Sequence, residues 1–175
     1  RPFKDLDALF EQIEFFVDAI SGYQSDFGLF PELFNAPLMS QFNHLPTADA
    51  VRELAKFTEP IRDKFKELAI TYNINLITGS MPFIEDGKLF NVGYICHRSG
   101  KIDIYHKLHI TPNEVFHWGM TGGSELNVID TDCGKVGVLI CYDVEFPELS
   151  RLLADDGMQI LFVPFLTDTQ NGFTR

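Results

Sequence analysis

At 175 residues the chain is long enough for one domain with a substantial core, and 45% hydrophobic beside 22% charged residues is the balance of an ordinary globular protein. Lys and Arg number 14 against 25 Asp and Glu, and the resulting net charge of −11 is scattered among apolar residues, a field that repels nucleic acid and anionic membranes. There is no run of about eighteen apolar residues and no secretory pattern near Arg1, so no membrane partner, no nucleic-acid partner and a cytoplasmic setting are expected.

Leu6, Leu9, Phe10, Ile13, Phe16, Val17 and Ile20 recur at three- and four-residue steps, which predicts a helix ending near Gly22 whose apolar face covers a sheet. Residues 27–30 form a short apolar run stopped by Pro31, as in a buried parallel strand, and an irregular polar stretch with Pro37 and Pro46 follows. A helix is predicted over 48–72, broken at Pro60, with Ile61, Phe65, Leu68, Ala69 and Tyr72 inward. Next come a short strand at 76–79 and two extended segments, 88–97 and 102–108, joined as a hairpin through Ser99-Gly100. Segments 125–130 and 136–141 pair around Cys133-Gly134, and the second is apolar enough to be a central strand. A helix at 147–156 with Pro147 in its first turn and a strand at 160–164 complete the order. Without repeats or linkers, one layered α/β domain over 1–175, covered by helices outside, fits this pattern.

The segment Gly137-Val138-Leu139-Ile140-Cys141-Tyr142-Asp143, followed by Val144-Glu145-Phe146-Pro147-Glu148, runs from a buried strand into a cysteine, an acidic turn and a helix. The carboxyl end of a parallel strand is where α/β folds place their sites, and neighbouring backbone N–H groups can point at the same spot. Position alone also allows Cys141 to be a small buried apolar residue. Cys96, Cys133 and Cys141 are odd in number, far apart and outside any C-x-x-C pair, which argues against disulfides and structural zinc; Cys96 and Cys133 read as packing residues. His106 and His109, three apart on a predicted strand, face opposite ways and do not suit one metal. Gly119, Gly122 and Gly123 lack the strand-to-helix setting of a phosphate cradle. Neither a metal nor an organic cofactor is expected.

Two further blocks accompany the cysteine segment, and together the three resemble the nitrilase superfamily of carbon-nitrogen hydrolases in its amidase- and carbamoylase-like branch. The segment around Cys141 is similar to the family's nucleophile motif. Gly28-Leu29-Phe30-Pro31-Glu32-Leu33 resembles the strand-end Pro-Glu block that supplies the general base, and Tyr105-His106-Lys107-Leu108-His109-Ile110 the block that supplies the catalytic lysine. Glu114 stands where many members carry a second, supporting glutamate. The resemblance implies a nitrilase-like α-β-β-α sandwich with Cys141, Glu32 and Lys107 as the catalytic set and the Tyr142 N–H as oxyanion donor. His117-Trp118 lies in a loop after the lysine, where an aromatic could line a substrate mouth or equally pack on the surface; Glu145 is a further candidate for that mouth, and Asp143 and Arg151, which look like family positions, read as supports near the turn. A free thiol is only a few per cent ionised at neutral pH, which explains why a carboxylate base and an ammonium should converge on it.

Family members open with a strand before the first helix and continue past the position of Asn171-Gly172-Phe173, so the expectation is a partial domain that lacks its first strand and C-terminal part. Such a piece would expose sheet edges and not fold stably alone; a homodimer or higher homo-oligomer is the implied assembly. The implied function is cleavage of a non-peptide C–N bond in a small linear amide or N-carbamoyl compound through a cysteine thioester. Tyr142-Asp143 stands where nitrile-cleaving members carry Trp-Glu, which disfavours a nitrile substrate. The alternatives are a non-catalytic module, for instance fused to an acetyltransferase domain, and acyl transfer to an amine from the same thioester. Retention of Glu32, Lys107 and Cys141 together argues against a pseudoenzyme.

Overall fold

A computed structural model describes residues 3–167; Arg1, Pro2 and 168–175, with the Asn171-Gly172-Phe173 segment, lie outside the described residues. Helix α1 (Leu6–Gly22) begins where the Asp5 side chain accepts the Ala8 N–H at 3.0 Å, and its three- and four-residue apolar steps bury Leu9, Ile13 and Val17. Strand β1 (Phe27–Leu29) follows, then a 3₁₀ turn at Ala36–Phe42, helices α2 (Thr47–Ala55) and α3 (Thr58–Thr71), and strand β2 (Asn75–Ile77). Strands β3 (Met81–Glu85), β4 (Lys88–Cys96) and β5 (Ile102–His106) form a meander, and β6 (Ile129–Thr131), β7 (Gly134–Val138), α4 (Pro147–Asp155) and β8 (Ile160–Phe162) close the described chain.

These strands make two sheets. In the first, β1 lies parallel to β2, β2 and β3 share one edge of the long β4, and β5 takes its other edge. In the second, β7 is central, antiparallel to β6 and parallel to β8. Side-chain alternation decides the layering. Leu76, Val92, Tyr94 and Cys96 pack with Leu9, Ile13, Phe65 and Leu68 of the helices, whereas Ile77, Ile95 and Tyr105 pack with Val136, Val138 and Ile140 of the second sheet. On the far side of β7, a Cβ at Gly137 would come within 2.9 Å of Leu153 on α4, so the glycine lets that helix lie close. The order is helices, sheet, sheet, helix, the nitrilase-like α-β-β-α sandwich that the resemblance implies.

Four expectations change. The break in the helix over 48–72 falls at Lys56-Phe57 rather than at Pro60, which sits in the first turn of α3. Proline clashes with the carbonyl four residues earlier but is tolerated in a first turn, so it ends a helix upstream of itself. Strand β3 was not anticipated, because Pro82 discourages a strand reading; it lies at a sheet edge and turns into β4 through Asp86-Gly87, whose φ values of 49° and 76° suit a two-residue hairpin. The strands expected over 125–130 and 136–141 are shorter, and Cys141 lies beyond β7 in a 3₁₀ turn (Cys141–Glu145). Cys133 is not a core residue but a half-exposed turn residue beside Arg98, which pairs with Asp26 and Asp132 at 2.8 Å each and so pins the two sheets together; Cys96 is buried as expected. Among the described residues no helix is long and apolar enough to cross a membrane.

Candidate active site

Three strand ends converge. Glu32 follows β1, Lys107 follows β5 and Cys141 is the third residue after β7, and all three line one cavity of about 520 Å³ with Glu114. That volume suits a small organic molecule.

The turn carrying Glu32 is held from β2 and beyond. The Phe30 N–H donates to the Ile77 carbonyl at 2.9 Å, the Ser80 N–H to the Pro31 carbonyl at 3.3 Å, and the Leu33 N–H to the Ser80 hydroxyl at 3.3 Å. Leu33 itself has φ 49°, a left-handed backbone that a branched side chain adopts only under constraint. Gly79 makes the close approach possible. Its φ is 67°, and an added Cβ would lie 1.9 Å from the Pro31 carbonyl oxygen. Gly79→Ala is therefore expected to lower stability by about 3 kcal/mol and to reduce activity by shifting Glu32. Urea unfolding with an unchanged midpoint would contradict this.

The Lys107 N–H donates to the Asn91 carbonyl at 2.9 Å, which anchors the residue as the strand ends. Its ammonium, 1% exposed, lies 2.7 Å from Glu32 Oε1 and 2.9 Å from both oxygens of Glu114. Burial, the largest effect, works to lower the lysine pKa, but the charges of Glu32 and Glu114 override it and the net shift is upward. Glu114 sits in a single π turn (Glu114–Trp118), where a loop was expected, and its Oε2 accepts the Thr111 N–H and hydroxyl at 2.8 Å each. Two buried carboxylates thus embrace one cation.

Cys141 has φ 48°, and its N–H donates to the Pro164 carbonyl at 2.9 Å. A strained residue between a strand and a turn lifts its side chain clear of the sheet. Burial pushes its thiol up to about 11, with the Glu32 charge and hydrogen bond adding to the rise and Lys107 opposing it. The resting sulfur is a neutral thiol, so attack on a carbonyl requires a base. Glu32 lines the same cavity, and its Oε2 accepts the Leu166 N–H at 3.1 Å.

Asp143 braces the arrangement. It is buried and accepts N–H bonds from Leu108, His109 and Ile140 at 3.2, 2.7 and 3.2 Å, joining the chain after Lys107 to the turn bearing Cys141. The His109 ring lies off the strand that was expected to hold it, stacked 3.7 Å over Phe146 with Nδ1 3.2 Å from Asp143. Arg151, expected as a second support, is exposed on α4. Among the expected mouth residues Trp118 lines the cavity, while His117 and Glu145 are exposed and stand outside its described lining. Tyr142 is the second residue of the Cys141 turn, where an N–H needs no partner within the turn. Sequence reasoning missed Asn91, whose amide reaches both Glu32 and Glu114. Its signal was an asparagine inside an otherwise apolar strand, where that residue type is rare.

The carbon-nitrogen hydrolase family model matches residues 2–174. The chain is 45% identical to "Probable hydrolase YhcX" of Bacillus subtilis over 94% of its own length and 32% of that protein. It is 32% identical to "Omega-amidase NIT3" of Saccharomyces cerevisiae, over 81% of this chain and 51% of that protein. The crystal structure of yeast Nit3, described as a nitrilase-superfamily member, superimposes with a TM-score of 0.75 at 27% identity, covering 98% of this chain and 63% of that one. The chain spans from about a third to about half of the length of these curated relatives.

Proposed function

The chain belongs to the carbon-nitrogen hydrolase family, and from that premise we propose that it cleaves the C–N bond of a small linear amide through a thioester on Cys141. The observation that carries this reading is a half-buried neutral thiol sharing a cavity with a buried carboxylate whose one oxygen is held by an ammonium. Cys141 Sγ bonds to the amide carbon as Glu32 Oε2 takes the thiol proton, and the carbonyl π electrons move to oxygen. The oxyanion is held by the Lys107 ammonium and the Tyr142 N–H. Collapse of this intermediate expels the amine with the proton from Glu32. Glu32 then removes a proton from water, the hydroxide oxygen displaces sulfur, and carboxylic acid leaves while the thiol regains its proton. Amide and water become acid and amine with no oxidant or external electron source.

The relative named an omega-amidase supports a linear amide substrate, and Leu33 and Trp118 in the cavity give its chain an apolar wall. An N-carbamoyl compound presents the same carbonyl to the same groups. Acid-quenching the protein during turnover of propionamide should yield a Cys141 peptide heavier by the propionyl group, with ammonia and propionate formed in equal amounts. Ammonia release that persists after alkylation of Cys141, with no acyl adduct on quenching, would sink the proposal.

A further inference from the structure

Resting on that thioester chemistry, we infer that Asn91 is a positioning residue that ties down one oxygen of Glu32 and thereby assigns proton transfer to the other. Asn91 is fully buried midway along β4. Its Nδ2 lies 3.2 Å from Glu32 Oε1 and 3.2 Å from Glu114 Oε1, so both amide hydrogens are committed to carboxylates. Its Oδ1 is buried without a hydrogen-bond partner among the described residues. An unpaired buried carbonyl is unfavourable, and a flipped amide would relieve nothing, because it would set that oxygen against two carboxylate oxygens. The orientation is dictated by the two glutamates.

The consequence falls on Glu32. Its Oε1 holds two donors, Lys107 Nζ and Asn91 Nδ2, whereas Oε2 accepts the N–H of Leu166, the residue whose carbonyl lies 3.8 Å from Cys141 Sγ. A carboxylate held at Oε1 by two donors keeps Oε2 turned toward Leu166, beside which the sulfur lies. Hydrogen bonds from an ammonium and an amide onto one carboxylate oxygen are charge-assisted and fix its orientation. The titratable groups facing Glu32 are Lys107 after β5, Glu114 in the π turn and Cys141 after β7; Asn91 is the neutral donor among them. Residue type matters at this position. Aspartate would crowd a third carboxylate onto one ammonium, and leucine would leave both glutamates short of a donor.

The test is the pH profile of kcat/KM for propionamide in wild type, Asn91→Leu and Asn91→Ser. Asn91→Leu should move the acid limb up by about one pH unit and lower the plateau roughly ten- to a hundredfold, and Asn91→Ser, with one donor left, should fall between. An acid limb that stays in place in both variants overturns the inference even if activity falls, because loss of packing alone would not move the base's titration. The rate of Cys141 alkylation by iodoacetamide against pH reads the same base without turnover, so it decides the matter if the proposed amide cleavage fails. Should the leucine variant not fold, the serine variant read by alkylation carries the test: an inflection unshifted from wild type overturns the inference.

Discussion

Cys141→Ala is expected to lower amide turnover by more than about 10⁴-fold while changing unfolding free energy by less than about 1 kcal/mol, since removal of a catalytic nucleophile leaves only binding and oxyanion stabilisation. Neither of the other thiols can substitute. Cys96 lies on the helix side of the first sheet with its thiol pushed up to about 12 by burial, and Cys133 lies at the β6–β7 turn beside Arg98. The stability cost is small because Cys141 is only half-buried and alanine carries the same Cβ into the left-handed backbone at φ 48°. Glu32 and Lys107 remain in place, so substrate binding should persist and be measurable by calorimetry. Ammonia assays beside urea unfolding decide it. Turnover within a hundredfold of wild type, or loss of the fold together with activity, would count against Cys141 as a nucleophile on a separately stable scaffold.

Lys107→Met is expected to lose on both counts. The ammonium lies within 2.7 and 2.9 Å of two carboxylates that are otherwise buried, and removing one partner of such a cluster costs about 3–5 kcal/mol. Without the cation Glu32 and Glu114 repel each other across Asn91, so one of them holds a proton more tightly than in the unfolded chain. The folded state then binds the extra proton, and the penalty is least at acid pH and grows as pH rises past the ordinary glutamate range. Turnover falls in addition by at least about a hundredfold, from the lost oxyanion partner and from a base that is no longer ionised. Adding Glu114→Gln to Lys107→Met should recover much of the stability without recovering activity. Unfolding of the single variant at pH 7 with a wild-type midpoint would show that the ion cluster is not what holds the site.

Much of this fold is legible because its elements follow local rules. The apolar steps from Leu6 to Ile20 specify a helix and its buried face, and the apolar run into Cys141 specifies a central strand, since a helix face and a doubly covered strand each need a definite pattern. Strand β3 is the instructive miss: Asp86-Gly87 is a hairpin signal, while Pro82 is a residue that a central strand does not tolerate. Which argument prevails depends on whether the proline lies at a sheet edge, where a missing N–H costs nothing, and an edge is a property of the assembled sheet.

The site divides in the same way. Glu32, Lys107 and Cys141 are legible in three short blocks, and Glu114 just after the second, because those blocks resemble motifs of the family; position alone leaves Cys141 open to a packing role. The chain by itself determined those residue types, their order and the strands that carry them. Only the tertiary structure decided that Lys107 is shared by two carboxylates, that Asn91 donates to both and that Asp143 ties two of the blocks together. It also decided that Trp118 lines the cavity while His117 and Glu145 are exposed outside its described lining. Residues far apart in sequence meet through sheet register and layer packing. Hydrogen bonding and charge at such a meeting point depend on angles and distances of a few tenths of an ångström, which no local pattern encodes.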